Sequence, residues 1–100
     1  MNYELQIENG HIMVQLAGAI YTEDAEKLRG ELQEYLAQGY SRFLIDMEQV
    51  DYLDSAGIAT LIALHKGAGR QGGRVTLRGV NGLVKELFEI TLLTEVFEMQ

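Results

Sequence analysis

The side chain in this sequence with the clearest potential for a chemical role is the hydroxyl of a serine. Ser55 lies in Leu53–Gly57, which contains the second half of the G-x-S-x-G nucleophile elbow, but Leu53 replaces the first glycine. Neither His11 nor His65 has a convincing orienting acid, and His65 lies about 15 Å further along the helix that Ser55 is expected to begin. The pattern therefore does not favour a catalytic triad, and we predict that the protein is not an enzyme.

Two other patterns could indicate a ligand. Gly67–Gly72 matches G-x-G-x-x-G, but a predicted helix leads into it and a predicted strand leads out, the reverse of a dinucleotide site. Glu23 and Asp24 are better explained as acids at a helix start. Asp51 and Asp54 are a second pair of carboxylates that could suggest a metal, but we predict no metal and no cofactor.

The residues alone leave two interpretations of Ser55 open. It could be a helix N-cap, a role that Asp54 could equally fill. It could instead be a phosphorylation site at the helix start, beside small Ala56 and Gly57. A phosphate would add about −1.5 to −2 charges to a surface that we expect to carry Asp46, Asp51 and Asp54.

The chain around Ser55 predicts an α/β fold. Apolar and polar residues alternate on both sides of Asn9-Gly10, which indicates a β-hairpin whose second strand ends at Gly18. Helical spacing follows from Thr22, a predicted N-cap, to Gly39. Phe43–Ile45, ending at Asp46, resembles a short strand buried on both faces.

The second half continues the alternation. Val50–Leu53 is predicted to be a loop, and a second helix stops at Gly72-Gly73. A strand at Val75–Leu77 and a third helix capped by Asn81 follow, and Leu92–Phe97 is apolar enough to dock. The order β-β-α-β-α-β-α predicts a small mixed, mostly parallel sheet of four to five strands with flanking helices.

Composition narrows the class of protein. One hundred residues without a proline- or serine-rich linker predict one domain, residues 1–100. A net charge of −7 opposes nucleic acid and anionic membrane surfaces, so neither nucleic-acid binding nor membrane insertion is expected. There is no cysteine, and the acidic, alternating N-terminus is unlike a signal peptide. We therefore expect a cytoplasmic protein.

Several segments resemble the STAS domain family, named for sulfate transporters and anti-sigma factor antagonists. Val14–Gly18 resembles its second strand, Leu44–Met47 its central strand and Val50–Gly57 its signature loop. Gly72–Leu77 and Val84–Phe88 resemble its fourth strand and third helix. The likeness covers nearly the whole chain and implies the STAS fold.

The resemblance also implies a function. In stand-alone antagonists, the serine that matches Ser55 is phosphorylated by an anti-sigma factor serine kinase, and a PP2C-type phosphatase restores it. The unphosphorylated form binds the anti-sigma factor and releases sigma. We therefore expect a docking face that contains Tyr21, Asp46, Asp54, Ala56 and Gly57 around Ser55.

One residue departs from the family pattern. Tyr21 stands where the family often has a partner-facing aspartate, so an acidic contact has become aromatic and partner specificity can differ. Other STAS proteins serve in signalling assemblies or as small subunits of lipid-transport complexes. A role of that kind without phosphorylation, with Ser55 only a cap, is the alternative.

Overall fold

The computed structural model describes residues 1–100 and contains five strands and three α-helices. The strands are β1 (Asn2–Glu8), β2 (His11–Ile20), β3 (Arg42–Leu53), β4 (Arg74–Arg78) and β5 (Glu98–Met99). The helices are α1 (Thr22–Ala37), α2 (Ser55–Arg70) and α3 (Gly82–Ile90), and a 3₁₀ turn covers Leu93–Glu95. The predicted element order is confirmed, and the docked C-terminal segment adds the short fifth strand.

The strands lie in one sheet in their chain order, β1 to β5. β1 and β2 are antiparallel, and every later pair is parallel. Because right-handed crossovers that always step in the same direction place every helix on the same side, this order leaves one face of the sheet uncovered. The predicted mixed, mostly parallel sheet is therefore confirmed, with a covered face and an open face.

The core lies between the helices and the covered face. It is one cluster of 22 buried apolar residues, in which alternate residues of β2, β3 and β4 meet the inner sides of α1, α2 and α3. A further contact ties β1 to α1, where the Tyr3 hydroxyl donates a hydrogen bond to Glu31. This bond and partial burial raise the pKa of Tyr3 to about 12.

Strand β3 differs most from its prediction. It was expected to be short and buried on both faces, but it runs on to Leu53, and Leu44 is only half-buried because it points to the open face. The predicted loop at Val50–Leu53 is thus strand. The register with β2 shifts twice between Gln15 and Ala19, and such bulges break the alternation that reveals a strand.

Turn and cap positions are largely as predicted, with two corrections. Asn9 and Gly10 have φ of 52° and 78°, which confirms the hairpin turn. Gly18 does not end β2, because it lies inside the strand at the second register shift, with φ of 86°. Thr22 is not the N-cap of α1, since Tyr21 holds that position and Thr22 is the first helical residue.

Candidate functional site

Ser55 is the first residue of α2 and its side chain lies on the surface. The N-cap is Asp54, whose Oδ1 accepts a hydrogen bond from the Gly57 N–H at 3.0 Å. The capping role that the sequence left open for Ser55 is therefore filled by its neighbour. The Ser55 hydroxyl makes no hydrogen bond within the chain, so it is accessible at a helix N-terminus where a phosphate would meet the positive end of the helix dipole.

Asp54 links the starts of two helices. Its Oδ2 accepts a hydrogen bond from the Thr22 hydroxyl at 3.0 Å, so one carboxylate contacts the first turn of both α1 and α2. The Gly57 N–H, followed by the Thr22 hydroxyl, lowers the pKa of Asp54 despite an opposing desolvation effect. Asp54 is therefore ionised at neutral pH and holds a negative charge beside Ser55.

An exposed aromatic pair stands at the same end of the sheet. Tyr21 and Tyr52 are 57% and 47% exposed, and their ring centroids are 5.6 Å apart. They meet because β2 and β3 end side by side, with Ile20 paired to Leu53 and Ala19 paired to Tyr52. Large exposed aromatic side chains are typical of protein interfaces.

The two small residues after Ser55 differ in exposure. Ala56 is half-buried, whereas Gly57 is buried against the ends of β2 and β3. A Cβ at Gly57 would lie 2.9 Å from Leu53 Cδ2 and 3.5 Å from Ile20 Cγ2. Gly57 therefore allows the start of α2 to pack closely on the strands, and it adds no side-chain surface to a docking face.

Asp46 does not lie with the other predicted site residues. It is on the open face of the sheet, away from the helices, where its Oδ2 accepts a hydrogen bond from the Arg78 guanidinium at 2.9 Å. Partial burial acts to raise its pKa, but the Glu48 N–H and Arg78 outweigh this and the pKa is lowered. The expectation that Asp46 adds acidity beside Ser55 is corrected, because strand alternation turns it to the other side.

The remaining candidate groups form no second site. His65 is half-buried, and its ring packs edge-on against Phe97 with centroids 5.4 Å apart. Gly67–Gly72 lies at the end of α2 and before β4, as the sequence predicted, so it offers no helix N-terminus to a pyrophosphate. No group of three or more His, Cys, Asp or Glu side chains is arranged to hold a metal ion.

Two residues of the site were missed by the sequence analysis. Tyr52 was placed in a loop, although its pairing with Tyr21 makes it part of the exposed surface. Thr22 was taken as a cap of its own helix, but its hydroxyl contacts Asp54 from the neighbouring helix. Neither contact leaves a local signal in the sequence, because each joins segments about thirty residues apart.

Comparison with known proteins identifies the family. The family model described as "Mlab, STAS domain" matches residues 3–98, which is nearly the whole chain. The chain therefore belongs to the STAS domain family, and the resemblance seen in the sequence is confirmed.

The similarity to curated relatives covers most of their length. The chain is 28% identical to the anti-sigma-B factor antagonist of Listeria monocytogenes, over 100% of this chain and 90% of that protein. It is also 28% identical to the anti-sigma-B factor antagonist of Bacillus subtilis, over 99% and 90%.

Solved structures share the fold at lower identity. A candidate anti-sigma factor antagonist from Thermotoga maritima superimposes with a TM-score of 0.90 at 17% identity, covering 97% of this chain and 84% of that one. The anti-sigma factor antagonist SpoIIAA in its unphosphorylated form gives 0.83 at 16% identity, covering 99% and 87%. These similarities establish the fold. No helix of the chain has the length and apolar character needed to cross a bilayer.

Proposed function

We propose that this chain is an anti-sigma factor antagonist that is switched by phosphorylation of Ser55. The observation that carries the proposal is that the Ser55 hydroxyl is exposed and unbonded at the first position of α2, while Asp54 provides the cap. A serine needed only for capping would use its hydroxyl to satisfy the helix start. The similarity to curated anti-sigma-B factor antagonists, which covers 90% of their length, supports the same role.

The docking face in this proposal consists of Ser55 with Tyr21, Tyr52, Asp54 and Ala56. The tyrosine pair supplies apolar contact area, and Ser55 is the position that a partner kinase must reach. Gly57 acts beneath this face by keeping α2 close to the strands. Asp46 has no part in it, because it lies on the open side of the sheet.

Phosphorylation would change the charge of this face sharply. A phosphate adds about −1.5 to −2 charges at neutral pH, next to the ionised Asp54. The start of α2 stabilises that charge, so the modification need not disturb the fold. A partner that accepts the neutral hydroxyl would then meet a strongly acidic surface, and its affinity would fall.

The partners in this proposal are an anti-sigma factor serine kinase and a PP2C-type phosphatase, acting in the cytoplasm. The protein itself binds and does not catalyse. The unphosphorylated form holds the anti-sigma factor and frees sigma, and the phosphatase regenerates that form.

Phosphorylation by the cognate kinase and ATP tests the proposal. We expect one phosphate per chain on wild type and none on Ser55→Ala, measured by intact-protein mass spectrometry. Ser41→Ala is a matched control, because Ser41 is the other serine of the chain and should leave labelling unchanged. Ser55→Asp should weaken binding of the kinase in calorimetry; label at another residue, or unchanged affinity, would contradict the proposal.

A STAS subunit of a signalling or lipid-transport complex, with no phosphorylation, is the second candidate. The observation that supports this second candidate is the description of the matching family model, "Mlab, STAS domain". Mass spectrometry of the protein from its native cell separates the two candidates, since only the antagonist would show a phosphorylated fraction at Ser55.

A further inference from the structure

Helix α3 carries an apolar stripe that nothing in the chain covers. Leu83, Leu87 and Ile90 are spaced four and three residues apart, so they share one side of the helix. Leu83 is 73% exposed and Ile90 is 81% exposed, while Leu87 is half-buried. The core contact of α3 is made by Val84 and Phe88 on the adjoining side, so the stripe is not needed to hold the helix on the sheet.

Leu92 is a further exposed leucine, two residues beyond the end of α3. It is 61% exposed and adopts a left-handed backbone conformation, with φ of 59° and ψ of 21°. Glycine takes this conformation at helix ends without the steric cost that a leucine carries. A leucine that is both strained and exposed indicates that its side chain is useful on the surface. We call Leu83, Leu87, Ile90 and Leu92 the α3 stripe.

The surroundings of the α3 stripe are acidic. Glu86 is exposed on the side of the helix next to it, and Glu89 is exposed further round the helix, toward Lys85. At the other end, Glu48 and Asp51 line a shallow groove together with Leu83. The only cation of α3 is Lys85, which helical geometry places on the side away from the stripe.

We propose that the α3 stripe binds a basic amphipathic helix of a partner protein. Apolar residues at helical spacing on the partner would cover the leucines and Ile90, and lysine or arginine residues beside them would meet the glutamates. This inference does not depend on phosphorylation of Ser55, because it uses a different helix and a different chemistry.

The same features argue against a second copy of this chain as the occupant. Two copies would bring two acidic rims together in a protein whose net charge is already −7. The stripe also offers on the order of a few hundred Å² of apolar surface, well below the roughly 800 Å² per partner that a stable interface buries. A single helix is the better match in size and charge.

Two synthetic helical peptides test the proposal. Both carry leucines at positions i, i+3, i+4 and i+7, and one has lysines beside them where the other has glutamates. We expect the lysine peptide to bind the full chain roughly tenfold or more tightly in calorimetry. Amide shifts in nuclear magnetic resonance should map its binding to residues 83–96.

Substitutions locate the contact. The double variant Leu83→Asn, Ile90→Asn should lose roughly tenfold or more in affinity for the lysine peptide, with its circular dichroism unchanged. Leu92→Gly removes the exposed leucine side chain, so it should weaken binding. It also removes the strain of a leucine in the left-handed conformation, so the protein should remain at least as resistant to urea. Lys85→Asn, on the other side of α3, is the matched control and should leave binding unaltered.

Three results would overturn the proposal. One is equal binding of the two peptides, or amide shifts that map to another surface. Another is a dimer in sedimentation equilibrium that Leu83→Asn dissociates, which would make a second copy the occupant. The third is binding to vesicles of anionic phospholipid that the same variant abolishes, which would make the stripe a membrane contact.

Discussion

Asp54 shows how one side chain can serve both the fold and the proposed switch. Its two carboxylate oxygens are bonded to two different helices, through Thr22 and Gly57. The residue that leaves Ser55 free to react is therefore also the one that fixes the position of Ser55. A substitution at Asp54 should therefore disturb both the fold and the position of Ser55. Its effect on stability can be measured on its own, because that effect depends on pH.

The lowered pKa of Asp54 predicts an acid-dependent loss of stability. Because the pKa is lower in the folded chain than its ordinary value of 3.8, folding favours the ionised form. Asp54 thus stabilises the protein at pH above about 4, and this contribution is lost as the pH falls through the lowered pKa. Asp54→Asn should make urea stability lower at neutral pH and less dependent on pH in the acid range.

Asp51→Asn provides the comparison for this measurement. Asp51 is exposed three residues earlier, and its carboxylate makes no hydrogen bond within the chain. It should therefore keep the wild-type dependence on pH. If Asp54→Asn followed the wild-type curve at every pH, the role assigned to the carboxylate would be incorrect.

At the scale of elements, Gly73 allows the chain segments that lead into β3 and β4 to approach each other closely. A Cβ at Gly73 would lie 1.8 Å from the Ser41 carbonyl oxygen, which accepts a hydrogen bond from the Arg74 N–H. Neither backbone segment can move without loss of that bond. We expect Gly73→Ala to lower the free energy of unfolding by about 3 kcal/mol, measured by urea denaturation.

Gly69→Ala is the matched control for the same substitution. Gly69 lies near the end of α2, and a Cβ there would meet nothing within 4 Å. Since alanine favours helix over glycine, this variant should be more stable by up to about 1 kcal/mol. Equal losses at both positions would show that the close approach at Gly73 is not the cause.

The elements were predictable wherever a local pattern determines them. The Asn9-Gly10 hairpin and the periodic faces of α1, α2 and α3 follow from residue type and spacing, and the structure contains all of them. Strand β3 was only partly predictable. Its extra residues relative to β2 interrupt the alternation, and a bulge is defined by the partner strand, which the local sequence does not contain.

The site was predictable in part for the same reason. The resemblance indicated Ser55 and Asp54, and it indicated Tyr21 as the position where the family often has a partner-facing aspartate. The pairing of Tyr21 with Tyr52 depends on where two strands end in space. Asp46 was misplaced because the strand was expected to end there, whereas β3 runs on to Leu53 and its pleat directs the Asp46 side chain to the open face.

For the molecule as a whole, the acidic charge should govern how quickly it meets a partner. A net charge of −7 on 100 residues attracts a basic docking surface over a long range, and dissolved salt screens this attraction. The association rate with the proposed kinase, measured by stopped flow, should fall by roughly tenfold from low to high ionic strength. A rate independent of salt would exclude electrostatic steering.

The bare side of the sheet offers a place to attach the protein. All three helices and the Ser55 surface lie elsewhere, and Gln15 stands exposed on this side in the middle of β2. Because the chain contains no cysteine, Gln15→Cys would create a unique thiol for a dye or a solid support. A molecule tethered there would leave the Ser55 surface accessible to a binding partner, which makes single-molecule observation of the proposed switch practicable.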